Sequence, residues 1–240
     1  KECCSYHPKF LDLKNRTETY INATFNYLQS FKFFSFIPRQ EIEGMLQLPS
    51  QYQREAEQMV TQSDLNQSDH RLCIHSRRND FITSPVQAAS TEIFTTPAIT
   101  YLLKHLHKEH SARRPLVIFI GDDVKWEEKI KSSINSASSP WVRSIILPKS
   151  RTLPAIANWH FAKVHCDSVL LTASASTFGW WLAYLSKGQK VFYNNVFSKP
   201  DGFKHDLNPD DFFPHSWTAL EFDPSSNKVG IRHRFLTKTK

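Results

Sequence analysis

From residue 71 onward the chain alternates short, continuously apolar runs with amphipathic stretches of ten or more residues, and this alternation restricts the fold more than any other feature. The runs are "RLCI", "PLVIFIG", "RSIIL", "SVLLT" and "KVFYNN"; between them lie "PAITYLLKHLHKEH", "DVKWEEKIKSSI", "PAIANWHFAKVH" and "STFGWWLAYLSKG". A strand that is apolar on both faces has to be covered on both, and a connection of helix length joins neighbouring strands in parallel. The pattern predicts an α/β fold, a Rossmann-like parallel sheet with helices on both faces, over residues 71–220.

Residues 1–70 have a different texture, polar and rich in Gln, Ser and Asn, with an aromatic cluster "YLQSFKFFSF". One helix is predicted there, in "PRQEIEGMLQL", with Pro38 near its start and Ile42, Met45 and Leu46 on one face. The segment reads as the remnant of an N-terminal domain. After Asn195 the clusters "KPDG" and "NPDDFFPHSW" read as turns, and residues 221–240 as a C-terminal tail. No apolar run approaches the roughly 18 residues that a membrane span needs. The sequence starts at Lys1 rather than Met, so the natural N-terminus, with any membrane anchor, is expected upstream.

The 30 Lys and Arg against 23 Asp and Glu leave a formal net charge of +7, which favours an anionic partner. The basic residues are dispersed and the tail "HRFLTKTK" is too short for a nucleic-acid arm, so nucleic acid is not the expected partner. Four cysteines, Cys3, Cys4, Cys73 and Cys166, make neither a disulfide-dense scaffold nor a C-x-x-C zinc site, and the adjacent Cys3 and Cys4 are poorly placed to pair with each other. Glycosylation sequons at Asn15, Asn22 and Asn66 point to the lumen of the secretory pathway.

In open parallel sheets, ligands bind beyond the carboxyl ends of the strands. Here those positions carry His75, Arg77, Arg78 and Asp80 after the first strand, Asp122 and Asp123 after the second, and Ser174, Ser176 and Thr177 after "SVLLT". With six glycines and no G-x-G-x-x-G or Walker sequence, a backbone cradle for phosphates is not expected. Paired arginines supply the positive charge instead, because a guanidinium stays ionised and grips two phosphate oxygens at once. The second anion device is the helix in "STFGWWLAYLSKG", with Ser176 as N-cap and free N–H groups facing the cleft. Its Phe178, Trp181, Leu182 and Leu185 follow the helical period and are expected in the core. Structural roles compete with these. Either arginine can pair with Asp80 or Asp123, and one of Asp122 and Asp123 is expected to cap the next helix rather than share a metal. His105, His107 and His110 lack the i, i+4 spacing of a helical zinc site, and no metal site is expected.

These residues also carry a family resemblance. "HSRRND" fits the H-x-R-R-x-D motif, and "STFGWWLAYLSKGQKVFYNN" is similar to the second signature, of the α-1,2-fucosyltransferases, glycosyltransferase family 11. "YLQSFKFF", "VIFIGDDVKW" and "DFFPHSW" are partial matches in the family's order, across residues 27–217. The resemblance implies a two-domain GT-B architecture with GDP-fucose held mainly by the C-terminal Rossmann-like domain. It implies an inverting transfer in which a hydroxyl of a galactose-containing glycan, the 2-hydroxyl of galactose, attacks C1 of GDP-β-L-fucose, with no metal or other cofactor. It also implies a type II Golgi membrane protein with a lumenal catalytic domain. On this sequence Arg77 becomes the ligand of the β-phosphate, His75 and Asp80 shape the motif, and His75 and Arg78 are counted with Arg77 among the donor-binding residues. Asp122, Ser176 and Thr177 line the donor site, and Asn158, with His160 nearby, stands where related enzymes carry a guanine-binding carboxylate. Arg77 and Asp80 are the candidate catalytic residues; the general base stays open among Asp80, Asp122, Asp123 and residues upstream. Two alternatives accompany this reading: a GDP-fucose transferase acting on protein hydroxyls or making another linkage, and a catalytically silent relative that binds glycan or nucleotide.

Overall fold

The structure, a computed structural model, describes residues 4–22, 27–60, 70–110, 115–138, 141–142, 144–148, 154–200, 202 and 207–232, and for 135–138 the backbone alone. Strands β1 (Arg71–Ser76), β2 (Leu116–Gly121), β3 (Ser144–Ile146), β4 (Ser168–Leu171), β5 (Lys190–Asn194) and β6 (Thr218–Asp223) are parallel, and β7 (Lys228–Ile231) returns antiparallel to β6. Their spatial order, β3-β2-β1-β4-β5-β6-β7, grows outward in both directions from the β1–β4 pair. The strand order therefore reverses between β1 and β4, where a doubly wound sheet opens its ligand crevice.

Helices α1 (Arg39–Met45), α2 (Ser50–Glu57), α3 (Asn79–Thr83), α4 (Glu92–Glu109), α5 (Val124–Ser138), α6 (Ala157–His165), α7 (Thr177–Leu185) and α8 (Pro209–Phe212) complete the described elements with short 3₁₀ turns at Pro8–Asn15 and Phe31–Phe33. Strand alternation divides the core in two. Leu72, Ile74, Val117 and Phe119 face Ile99, Leu102 and Ile130 of α4 and α5, while Cys73, Ile118, Val169 and Leu171 face Phe161, Leu182 and Ala183 of α6 and α7. The second layer also takes in Leu48, Ala56, Met59 and Val60, so the N-terminal segment packs onto the outside of α6 and α7.

The expected strands and long helices are present, and the departures have local causes. In α1 only Ile42 is buried; Met45 is 72% exposed, although the spacing places both on one face. Helix α4 begins at Glu92, five residues before Pro97, which lies inside the helix and removes one intrahelical N–H donor there. Residues read as turns and tail contain β6, β7 and α8. Strand β6 crosses residue 220, burying Ala219 and Leu220 and exposing Glu221, and β7 sends only Val229 inward. Asn15 and Asn22 are exposed; Asn66 and Cys3 lie outside the described residues.

Cys73 of β1 is joined to Cys166, the C-cap of α6, across 93 residues of sequence. Both sulfurs are buried in the second core layer. Closing so long a loop removes much of the unfolded chain's freedom. Replacing both cysteines by alanine is expected to lower the unfolding free energy by about 2–5 kcal/mol in a urea titration; an unchanged midpoint would show that the bridge contributes nothing.

Candidate donor site at the β1–β4 crevice

The motif after β1 is fixed through its backbone. The Arg77 N–H donates to Ser90 Oγ (3.0 Å), Ser90 Oγ lies 2.6 Å from Thr172 Oγ1, and the Thr172 hydroxyl donates to the His75 carbonyl (2.9 Å). Since the last acceptor is a carbonyl, the direction along this chain is set, and Ser90 donates to Thr172. The Ser90 N–H returns to the Arg77 carbonyl at 3.0 Å. Ser90 and Thr172 are fully buried, so this relay ties β1 to the loop after β4 without water. Neither residue stands out in the sequence, where each is one polar residue among many.

The two arginines diverge, as neighbours leaving a strand do. Arg78 is built in: Nε reaches Asp123 Oδ2 (3.0 Å), an NH1 donor reaches the Ser90 carbonyl (2.6 Å), and the guanidinium lies 4.8 Å from the centre of the Trp126 ring. Arg77 instead forms a two-pronged pair with Asp80, at 2.7 and 3.1 Å, with the Asp122 carboxylate 3.4 Å away. Asp80 is thus the partner of Arg77 and not of Arg78. Its side chain is 60% exposed and that of Arg77 35%. The hydrogen bonds and charge of Arg77 hold Asp80 below the usual carboxylate range, and Asp80 in turn raises Arg77. An ion pair this open is worth about 0–1 kcal/mol, so Arg77 can exchange its carboxylate for another anion at little cost.

The adjacent aspartates separate as expected. Asp123 Oδ1 caps α5 by accepting the Trp126 N–H (3.1 Å), and Asp122 accepts the N–H groups of Arg78 (2.8 Å) and Asn79 (3.3 Å) at the start of α3. Both carboxylates are engaged in holding the motif. Among the described residues no three His, Cys, Asp or Glu side chains converge as metal ligands would.

Opposite stands the amino end of α7. Ser176 is its N-cap and accepts the Gly179 N–H at 3.2 Å. The His75 Nδ1 faces the Ile120 carbonyl (3.1 Å), so Nδ1 carries the proton and Nε2 accepts from the Ser176 hydroxyl (3.3 Å). The Ser176 side chain is therefore spent inside the fold, and what α7 offers the crevice is its backbone N–H groups and the exposed Thr177. His75 packs so tightly under the helix that a Cβ at position 179 would lie 2.1 Å from its ring, which only glycine avoids. Asn158 lies half-buried on the first turn of the neighbouring α6, whose Trp159 Nε1–H donates to the Phe178 carbonyl (3.1 Å). His160 instead lines a groove with α1 residues, near Glu57 (3.7 Å). In α7, Leu182 and Leu185 are core as expected, but Phe178 and Trp181 are only half-buried, and Trp180 takes the inner position.

The sequence profile described as Glycosyl transferase family 11 matches residues 16–221. The chain is similar to two proteins of Caenorhabditis elegans, each a "Galactoside 2-alpha-L-fucosyltransferase". One is 32% identical over 91% of this chain and 58% of the relative, the other 29% identical over 92% and 58%. A "Galactoside alpha-(1,2)-fucosyltransferase 1" of Leontocebus fuscicollis is 23% identical over 82% of the chain and 52% of its own length. The chain thus spans little more than half the length of these relatives.

Burial lowers the pKa of His75 to about 4, and those of His70 and His165 to about 4 as well. These rings stay neutral in the fold, whereas the unfolded chain binds protons below about pH 6.5, so acid favours unfolding. Stability should be full above about pH 6.5 and fall as the pH drops toward 4. His75→Phe, which cannot bind a proton, should be less stable at neutral pH and show a shallower fall. Parallel urea unfolding curves across this range test it, and identical slopes would remove His75 from the account.

Proposed function

The chain belongs to glycosyl transferase family 11, and from that premise we propose that it is the donor-binding part of a two-domain GT-B enzyme. In this reading the enzyme transfers L-fucose from GDP-β-L-fucose, with inversion, to the 2-hydroxyl of a galactose. The observation that carries the proposal is the exchangeable Arg77–Asp80 pair at the β1–β4 crevice, beside the amino end of α7. The diphosphate displaces Asp80 from Arg77 and takes the N–H groups that open α7. As the fucosyl C1–O bond breaks, charge grows on the departing phosphate, where a fixed guanidinium and helix end stabilise the transition state more than the ground state. Charge compensation comes from the protein, and this reading needs no divalent ion. Asn158 is the proposed contact for guanine, and Thr177 for phosphate or ribose.

Of the three carboxylates considered as base, Asp122 and Asp123 are engaged with backbone N–H groups, which leaves Asp80 the best placed to meet an acceptor. The names of the relatives, galactoside 2-α-L-fucosyltransferases, favour a galactose acceptor over a protein hydroxyl. The buried Cys73–Cys166 bridge and the exposed Asn15 and Asn22 of two sequons support an oxidising secretory lumen, and the Golgi is the compartment this reading proposes.

The arginines separate in a calorimetric titration with GDP in the presence of EDTA. Arg77→Ala should weaken binding by roughly 10- to 150-fold, the equivalent of about 1.5–3 kcal/mol for a charge-assisted hydrogen bond, with the unfolding midpoint unchanged. Arg78→Ala should lower the midpoint, because it removes contacts to Asp123, Ser90 and Trp126 together. A folded Arg77→Ala protein that binds GDP like the parent would sink the assignment, and fucose transfer from GDP-fucose to a β-galactoside by the parent protein tests the activity.

A further inference from the structure

The segment "YLQSFKFF", Tyr27–Phe34, holds none of the residues assigned to the donor, yet the fold anchors it on α7 and α8. Gln29 Nε2 donates to Thr177 Oγ1 (2.7 Å), Ser30 Oγ to the Asp211 carbonyl (2.7 Å), and Lys32 pairs with Asp211 (2.5 Å). Phe34 stacks on Trp181 at 5.4 Å. Just ahead of these anchors Tyr27 and Leu28 hold φ angles of 68° and 50°, which side-chain-bearing residues seldom adopt. Such a conformation persists when its surroundings impose it, and such positions cluster at ligand sites. Its result is that the Tyr27 ring stands 81% exposed rather than folded onto the core.

Between this segment and α7 lies a pocket of about 260 Å³, with Tyr27, Gln29, Phe34, Thr177, Trp180 and Trp181 in its lining. It explains why Trp181, at a core spacing on α7, is only half-buried. Aromatic walls with an amide and a hydroxyl at the rim suit a small ring that has a C–H face and hydroxyl edges, since an aromatic face is electron-rich and packs on polarised C–H groups. Pockets for drug-sized molecules run from roughly 300 to 1,000 Å³, so this one admits a single ring and not a nucleoside diphosphate. Thr177 belongs to both the pocket and the first turn of α7, which puts the occupant next to the leaving group.

We propose that this pocket is the acceptor subsite: it takes the terminal β-galactose ring of the acceptor glycan, with the aromatic walls against its C–H face and the Gln29 amide on its hydroxyls. The identity of the sugar rests on the fucosyl-transfer reading above; the binding of a pyranose does not. The test uses methyl β-D-galactopyranoside at millimolar concentration, followed by saturation-transfer NMR and by the fluorescence of Trp180 and Trp181, with GDP affinity measured in parallel. The parent should bind the glycoside. Tyr27→Ala, at a position too exposed to threaten folding, should weaken that binding and raise the acceptor KM about five- to tenfold, leaving GDP affinity and the GDP-fucose KM unchanged, and Gln29→Leu should weaken glycoside binding to a similar extent. Trp181→Leu should do the same if it folds. No glycoside binding by the parent, glycoside binding by Tyr27→Ala and Gln29→Leu equal to the parent's, or a loss of GDP affinity in Tyr27→Ala in step with its acceptor affinity would each overturn the proposal. Failure of the parent to bind GDP or transfer fucose would count against the donor reading alone, because the glycoside arm still reports on the pocket.

Discussion

The pairing of β1 with β4 is the constraint on which the rest of the site depends. Leu72–His75 lie in register with Ser168–Leu171, and the His75 carbonyl accepts both the N–H and the hydroxyl of Thr172 just beyond the ladder. That adjacency brings the arginine motif and the amino end of α7 to one crevice, although they are far apart in sequence. Each bond in the relay from Arg77 through Ser90 and Thr172 is worth only about 1 kcal/mol net, but those joining Ser90, Thr172 and the His75 carbonyl are buried, and losing one partner would leave the next unsatisfied at greater cost. The site is therefore rigid where the backbone meets the ligand.

The arginine doublet shows how two identical side chains acquire different duties. Arg78 has a carboxylate, a carbonyl and an indole face around it, and moving it would disturb α3, α5 and the Ser90 turn together. Arg77 has one firm partner, itself largely in water. A fixed arginine holds the loop so that the loose one starts from a defined place. Asp122 serves the same end through the backbone, accepting the N–H groups at the corner where the motif becomes α3.

How much of this was legible in the sequence depends on whether the signal was local. Runs such as "LVIFI" are apolar at every position because both faces of β2 are buried, so sheet type and strand order of appearance could be read directly. Strands β6 and β7 escaped because they are half exposed: Glu221, Asp223 and Lys228 give the stretch the look of a turn. Ser176 as N-cap was readable from its place before an apolar helix, but its inward hydroxyl was not, since its partner His75 arrives only through the β1–β4 pairing. Trp181 has the periodicity of a core residue, and periodicity cannot tell a wall that touches protein from one that faces a pocket. The Cys73–Cys166 bridge likewise has no signature in spacing, because it joins a strand to the end of a helix on a neighbouring layer.

Beneath the amino end of α7 sits a histidine that stays uncharged. The groups left to attract an anion are a guanidinium and a helix end, and neither titrates near neutrality. A diphosphate held there, as we propose, would be gripped indifferently to mild acidity, although an imidazole stands in the middle of the motif. Any acid limb in the rate of such a catalyst would report the group that receives the acceptor's proton, and the donor half would stay silent in that profile.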